Sequence, residues 1–232
     1  TVSANKNSVK IVGENTSFWA QGYFVYDSKK AGSVTISHLR FSPRPIKSTY
    51  LISRADFVAC HQFQLLFSMD VLSVADQHAT FLLNCPYGPE DVWDHLPLEV
   101  QRQIIEKELK FFVVDGYQVA HDAGLGRQIN TVMQTCFFAL SQILPLGEAT
   151  EQIKAMIAKS YGKRGQSVVQ KNYAAVDAAL NDLHEVTVPQ KAESALHRRA
   201  LIPEHNSDEF VKRVTSMLLA GQGDLLPVSA FP

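Results

Sequence analysis

The chain has 232 residues, of which 46% are hydrophobic and 19% charged, with a formal net charge of −1 at pH 7. That length and apolar share allow a full hydrophobic core in one large domain or two small ones. The near-zero charge gives no global steering toward nucleic acid or an anionic membrane, and no apolar run approaches the length of a membrane span.

The first stretch, Thr1-Val2-Ser3-Ala4-Asn5-Lys6-Asn7-Ser8-Val9-Lys10-Ile11-Val12-Gly13, moves from small polar residues through a lysine to an apolar stripe. The spacing of Val9 and Val12 predicts a helix starting near Ser3. The free N–H groups of such a start, the helix dipole and the Lys6 charge form a candidate anion site with Ser3 and Asn5. Ser and Asn are equally ordinary N-cap residues, so the residues alone leave a plainly capped helix open as well. The abrupt start, without Met or a signal peptide, reads as a piece cut from a longer polypeptide.

Gln21–Tyr26 reads as a strand and Ser33–Phe41 alternates apolar and polar at period two, which predicts a β-hairpin with Lys29 and Lys30 at its tip. Val34, Ile36 and Leu39 are out of phase, which points to a bulge or a late switch of face. By themselves the tip lysines read as a solvated turn. Ile46 to Ile52 suggests a short edge strand. Asp56–Cys60, Ala79–Asn84 and Lys110–Asp115 are compact apolar runs of the kind found in strands buried on both sides. A helical stretch from Gln62 to about Val74 and a stripe of Val100, Ile104 and Leu109 link them, with Pro89 opening a short helix. Strand–helix–strand–helix–strand predicts a parallel sheet. Cys60-His61-Gln62, Asn84-Cys85-Pro86 and Asp115-Gly116-Tyr117 then occupy the carboxyl ends, where sites gather in such sheets.

Beyond Tyr117 the chain turns helical. Gly124-Leu125-Gly126-Arg127-Gln128-Ile129-Asn130 interrupts it, either as a second anion-facing turn or as a helix stop and restart. Ile129, Met133, Cys136, Phe137, Leu140 and Leu144 form a broad face suited to packing on the sheet. Ile153, Met156 and Ile157 continue in another helix. Val169, Tyr173, Val176, Leu180 and Leu183 mark the clearest amphipathic helix, with Tyr173 and Val176 in the core. Val188-Pro189 closes the compact part. Residues 190–206 are polar and aperiodic, and Asn206-Ser207-Asp208-Glu209 caps a last helix bearing Phe210, Val214 and Leu218. The apolar tail from Leu225 to Pro232 reads as a strap laid on a neighbouring domain.

Cys60, Cys85 and Cys136 are far apart and set among apolar neighbours. They form no disulfide framework, zinc site or iron–sulfur motif, and read as buried free thiols in a reducing cytoplasm. The sequence contains no H-E-x-x-H, G-x-S-x-G, P-loop or paired CxxC. No catalytic residue and no metal ligand is assigned to it. Residue-level reasoning therefore ends at an α/β domain with a plausible anion site.

Several blocks taken in order carry a resemblance. Thr1–Ser8, Gln21–Lys30, Thr35–Phe41, Pro45–Tyr50, Ala55–His61, Leu83–Tyr87, Gly124–Asn130 and Asn172–Asp177 closely resemble pyruvate:ferredoxin (flavodoxin) oxidoreductases. The likeness is to the gamma-type catalytic domain, the third domain of the single-chain enzymes. It implies a three-layer α/β/α fold with a mixed, largely parallel sheet over residues 1–188. A helical C-terminal extension and inter-domain strap follows over 189–232. The family oxidatively decarboxylates pyruvate on thiamine diphosphate with Mg, passes electrons through [4Fe–4S] clusters to ferredoxin or flavodoxin, and transfers the acetyl group to coenzyme A. The resemblance places thiamine and clusters on other domains of the same polypeptide, in a cytoplasmic enzyme that is a homodimer. To this stretch it assigns coenzyme A, at Thr1, Val2, Ser3, Asn5 and Lys6, with Ser28, Lys29, Lys30, Arg127 and Asn130 nearby. Ser3 departs from the glycine of many relatives, which weakens a purely backbone role there. The competing reading is a non-catalytic docking module that holds the cofactor-bearing domains together.

Overall fold

The computed structural model describes residues 2–26, 34–202, 205, 208–220 and 222–231. Helix α1 (Val2–Asn15) comes first and buries Ala4, Ser8, Ile11 and Val12. Spacings of four, three and four place these on one face. Val9 lies outside that group and packs against a hairpin instead, its Cγ2 only 3.2 Å from where a Cβ on Gly22 would stand.

The hairpin is β1 (Trp19–Tyr26) with β2 (Thr35–Ser42), antiparallel. Its register runs unbroken from Trp19↔Ser42 to Tyr26↔Thr35, so the anticipated bulge does not occur. The phase problem is a switch of face. Leu39 and Phe41 point with Gly22 and Ala20 toward α1, whereas Ile36 pairs with Val25 on the other side. Residues 46–52 form no strand. Their backbone crosses the outer face, where the Ile52 N–H donates to the Tyr23 hydroxyl at 2.7 Å and the Arg40 guanidinium lies 3.7 Å over the Tyr50 ring. Side-chain partners have replaced the ladder an edge strand would need.

The main sheet of the described residues has the order β3 (Ala55–Cys60), β4 (Ala75–Asn84), β5 (Lys110–Val114), β6 (His184–Glu185). The first three strands are parallel and β6 is antiparallel to β5. Of the three expected double-sided strands, β3 is an edge with Asp56 and Ala59 exposed, while β4 is buried throughout Phe81–Asn84. Between them only Phe63–Phe67 is helical, as a 3₁₀ turn, not the whole of Gln62–Val74. The Ser73 hydroxyl donates to the Asp70 carbonyl, and the Lys107 ammonium collects the carbonyls of Leu72, Ser73 and Ala75.

Phe81, Leu83, Phe111 and Val113 face helix α2 (Leu98–Glu106) and the 3₁₀ turn Val92–His95. Pro89 precedes that turn, and it is Pro97 that stands at the start of α2. Leu82 and Val114 face the opposite layer, made of α3 (Gly116–Asp122), α4 (Asn130–Ser141) and α6 (Gln166–Asn181). Helix α5 (Leu146–Tyr161), α1 and Phe41 of the hairpin close a third cluster around Phe138 and Val176. The result is a three-layer α/β/α arrangement on a mixed, largely parallel sheet.

The aperiodic stretch after Pro189 is tied down by specific bonds. Gln101 is buried, and its side chain donates to the Trp93 carbonyl while its oxygen accepts the N–H groups of Glu193 and Ser194 at 3.0 Å. Leu98 N–H donates to the Leu196 carbonyl, Arg198 meets Glu99 and Asp70, and Arg199 N–H donates to the Phe67 carbonyl. Further on, the Asp208 carboxylate accepts the N–H groups of Phe210 and Val211 at the head of a helical segment that ends in α7 (Ser216–Leu219). In that segment Val214 is buried, whereas Phe210 and Leu218 are exposed. None of the described helices is long and apolar enough to cross a membrane.

Candidate anion-binding site

Val2, Ser3, Asn5 and Lys6 form the first turn and a half of α1, with Ser3 and Lys6 exposed and Val2 and Asn5 half-buried. The unpaired N–H groups of this turn are the donors an anion would use. The hairpin stands alongside. Ala20 approaches Gly13, Gly22 approaches Val9, and the Lys6 ammonium lies 5.5 Å from the centre of the Phe24 ring. Strand β1 therefore runs antiparallel to α1 and reaches Tyr26 on the side of the helix start. Thr1, Ser28, Lys29 and Lys30 lie outside the described residues.

Arg127 and Asn130 belong to the connection between α3 and α4. Gly124 and Gly126 turn there with φ of +75° and +63°. The Arg127 guanidinium lies 5.2 Å over the Tyr117 ring, so its described contact is with α3, not α1. Asn130 is the first residue of α4 and sits one turn before Gln134. The Gln134 amide donates to the Ala4 carbonyl at 3.1 Å and to the Ser8 hydroxyl at 3.0 Å. Gln134 was not among the sequence candidates. Its signal was the four-residue spacing from Asn130, which puts both on one helix face.

The carboxyl ends of the parallel strands are closed by their own bonds. The buried Asn84 side chain donates to the His61 carbonyl at 3.0 Å and accepts the Gly116 N–H at 2.8 Å. A Cβ on Gly116 would stand 2.9 Å from that oxygen, so glycine is what lets α3 start so close. Asp115 caps α3 by accepting the Gln118 N–H. Burial pushes the thiols of Cys60 and Cys85 up to about 11, and each donates to a nearby carbonyl. Burial pushes the His61 ring down to about 4. At neutral pH this edge presents neutral thiols and a neutral imidazole. Its described residues hold no activated nucleophile.

An open, mixed α/β sheet between helical layers defines the class of fold. The chain belongs to the pyruvate ferredoxin/flavodoxin oxidoreductase family, whose model matches residues 1–181. A second model, described as a domain of unknown function, matches residues 198–232. Along its whole length the chain is 54% identical to a putative pyruvate-flavodoxin oxidoreductase of Synechocystis, of which it covers 19%. It thus spans about a fifth of the curated relatives it matches. The pyruvate oxidoreductase subunit PORC of Thermotoga maritima has the same fold, with a TM-score of 0.60 at 18% identity over 78% of this chain and 89% of that one. The 2-oxoglutarate:ferredoxin oxidoreductase of Magnetococcus marinus, solved with 2-oxoglutarate, coenzyme A and succinyl-CoA bound, aligns over 85% of this chain and 30% of its own at a TM-score of 0.54 and 13% identity.

Proposed function

We propose that this chain is the gamma-type domain of a pyruvate oxidoreductase and holds coenzyme A. In that role residues 1–188 form the domain and 189–232 the extension that straps it to its neighbours. The α1 start would take phosphate on its free N–H groups, with Ser3 and Asn5 as short hydrogen-bonding side chains and Lys6 as the charge. Thr1, Val2, Ser28, Lys29 and Lys30 are further candidate ligands, with Asn130 at the start of α4 and Arg127 in the loop before it. Coenzyme A, when bound, supplies the thiol that accepts the acyl group. This chain's residues orient the nucleotide and neutralise its charge. Thiamine diphosphate, Mg and [4Fe–4S] clusters belong to other domains of the same polypeptide, and ferredoxin or flavodoxin docks on those. The assembled protein is a cytoplasmic homodimer in this reading.

The observation that carries the proposal is the exposed first turn of α1, with Ser3 and Lys6 unburied and a hairpin directed to the same end. Its chemistry fits a phosphate: unpaired donors, short hydroxyl and amide side chains, and an accessible ammonium. The solved relative with coenzyme A bound supports the same assignment at the level of fold. In the full-length enzyme, Lys6→Ala should raise the apparent KM for coenzyme A about tenfold, the equivalent of one charge-assisted hydrogen bond. The KM for pyruvate and the assembly should stay unchanged.

One observation favours the docking-module reading as well. Leu218, Leu219, Leu225, Val228 and Phe231 are all exposed in the last 15 residues, Val228 at 91%. If Lys6→Ala left the kinetics normal and Leu225→Asp broke the assembly, the strap would be the main role and coenzyme A would bind elsewhere.

A further inference from the structure

The geometry assigns Gln134 as the positioning residue of the coenzyme A site, an inference that rests on the proposal above. Helix α4 is itself firmly placed. Val132, Met133 and Cys136 are buried against the sheet, and the Thr131 hydroxyl donates to Asn172 of α6 at 2.8 Å. Asn172 in turn donates to the Val168 carbonyl within α6, which fixes the acceptor that Thr131 uses. From this fixed helix the Gln134 amide reaches α1, where both of its acceptors lie in the first two turns. One of them, the Ser8 hydroxyl, also donates to the Ala4 carbonyl at 3.0 Å. The three groups form a closed triangle on one face of α1 across Ala4–Ser8, the turn that carries Asn5 and Lys6 and follows Ser3.

A helix of this length is fixed mainly by packing. The apolar anchors of α1, Ile11 and Val12, sit toward its far end. Near its start only Ala4 and Ser8 are buried, and these are small. Gln134 therefore sets the height and rotation of the first turn relative to Asn130, which lies one turn away on the same α4 face. Gln134 touches no ligand in this scheme. It acts by holding two halves of the site in register.

Gln134→Met keeps length and volume and removes both donors. In the full-length enzyme it should raise the dissociation constant for coenzyme A, measured by calorimetry, about fivefold, the loss of one net hydrogen bond. The pyruvate KM should stay unchanged. Amide exchange should quicken over residues 4–9 but not over 131–137. Ser8→Ala keeps the bond from Gln134 to Ala4 and should give a smaller change in the same direction, which covers the case where Gln134→Met fails to fold. Faster exchange in α1 with an unaltered dissociation constant would overturn the assignment and leave Gln134 a packing residue. Lys6→Ala separates the two levels. If it weakens coenzyme A binding and Gln134→Met does not, only the positioning role falls. If neither does, the coenzyme A reading falls with it.

Discussion

A single side chain, Asn84, decides how the strand ends are used. It bridges the His61 carbonyl and the Gly116 N–H, so the edge where open α/β sheets keep their sites is occupied by the protein's own groups. The sequence marked Asn84-Cys85, Cys60-His61 and Asp115-Gly116 as strand ends correctly, because strand runs and their breakers are local signals. It did not reveal the bridge, which joins residues 32 positions apart. The thiols were legible for the same local reason, and all three cysteines are free and buried. His61 carries a pH consequence. The unfolded chain takes up a proton there near 6.5, whereas burial holds the native ring neutral down to about 4. Between those values the unfolded state binds more protons, so stability falls as pH falls through that window. Denaturation midpoints of wild type and His61→Gln, compared from pH 7 to pH 4, should show a flatter acid limb in the variant. Parallel curves would exclude His61 as a source of that slope.

Among the elements, the long periodic ones were the most legible. The helix through Val169, Val176 and Leu180 and the hairpin through Phe24 and Ile36 formed where their spacing placed them. The failures have physical causes. The stretch after Gln62 has helical composition, but Leu66 and Leu72, both fully buried in one core cluster, are six residues apart and would point to different faces of a helix. The two-residue β6 carries no periodicity, and only its pairing with β5 makes it a strand. Residues 193–199 looked featureless because their partners, Leu98, Glu99 and Gln101 of α2, Asp70 and the Phe67 carbonyl, lie far away along the chain and leave no local periodicity. That dependence is testable. Gln101→Met leaves two strap N–H groups without their acceptor and should cost about 1–3 kcal/mol. Trypsin should then cleave after Arg198 and Arg199 well before the sheet unfolds, as read by mass spectrometry over time. Cleavage no faster than in wild type would mean that Arg198 and Glu99 hold the strap unaided.

At the scale of the whole molecule, the chain is a domain with an unfinished exterior. It spans about a fifth of its relatives, and its C-terminal stretch presents leucine, valine and phenylalanine to solvent. The family was legible in the sequence because many short blocks agree in order, which no single motif provided. The candidate site was half legible. Its residue types stood out at the chain's start, but the link that joins them to α4 lies 126 to 130 positions away and leaves no local mark.

That separation bears on how the protein is made. Helix α1 leaves the ribosome before Gln134 and Phe138, the residues that hold it. At roughly 5–20 residues per second, the delay is on the order of ten seconds. In the meantime the hairpin is the described element already made that α1 packs against, and an isolated two-stranded hairpin is marginal in water. Of the described elements, α1 is therefore made early and is among the last to be fixed. In pulsed hydrogen exchange during refolding, amides 4–12 should gain protection together with α4 and after β4 and β5. The end of the domain that carries Ser3 and Lys6 would then be set only once α4 has been translated.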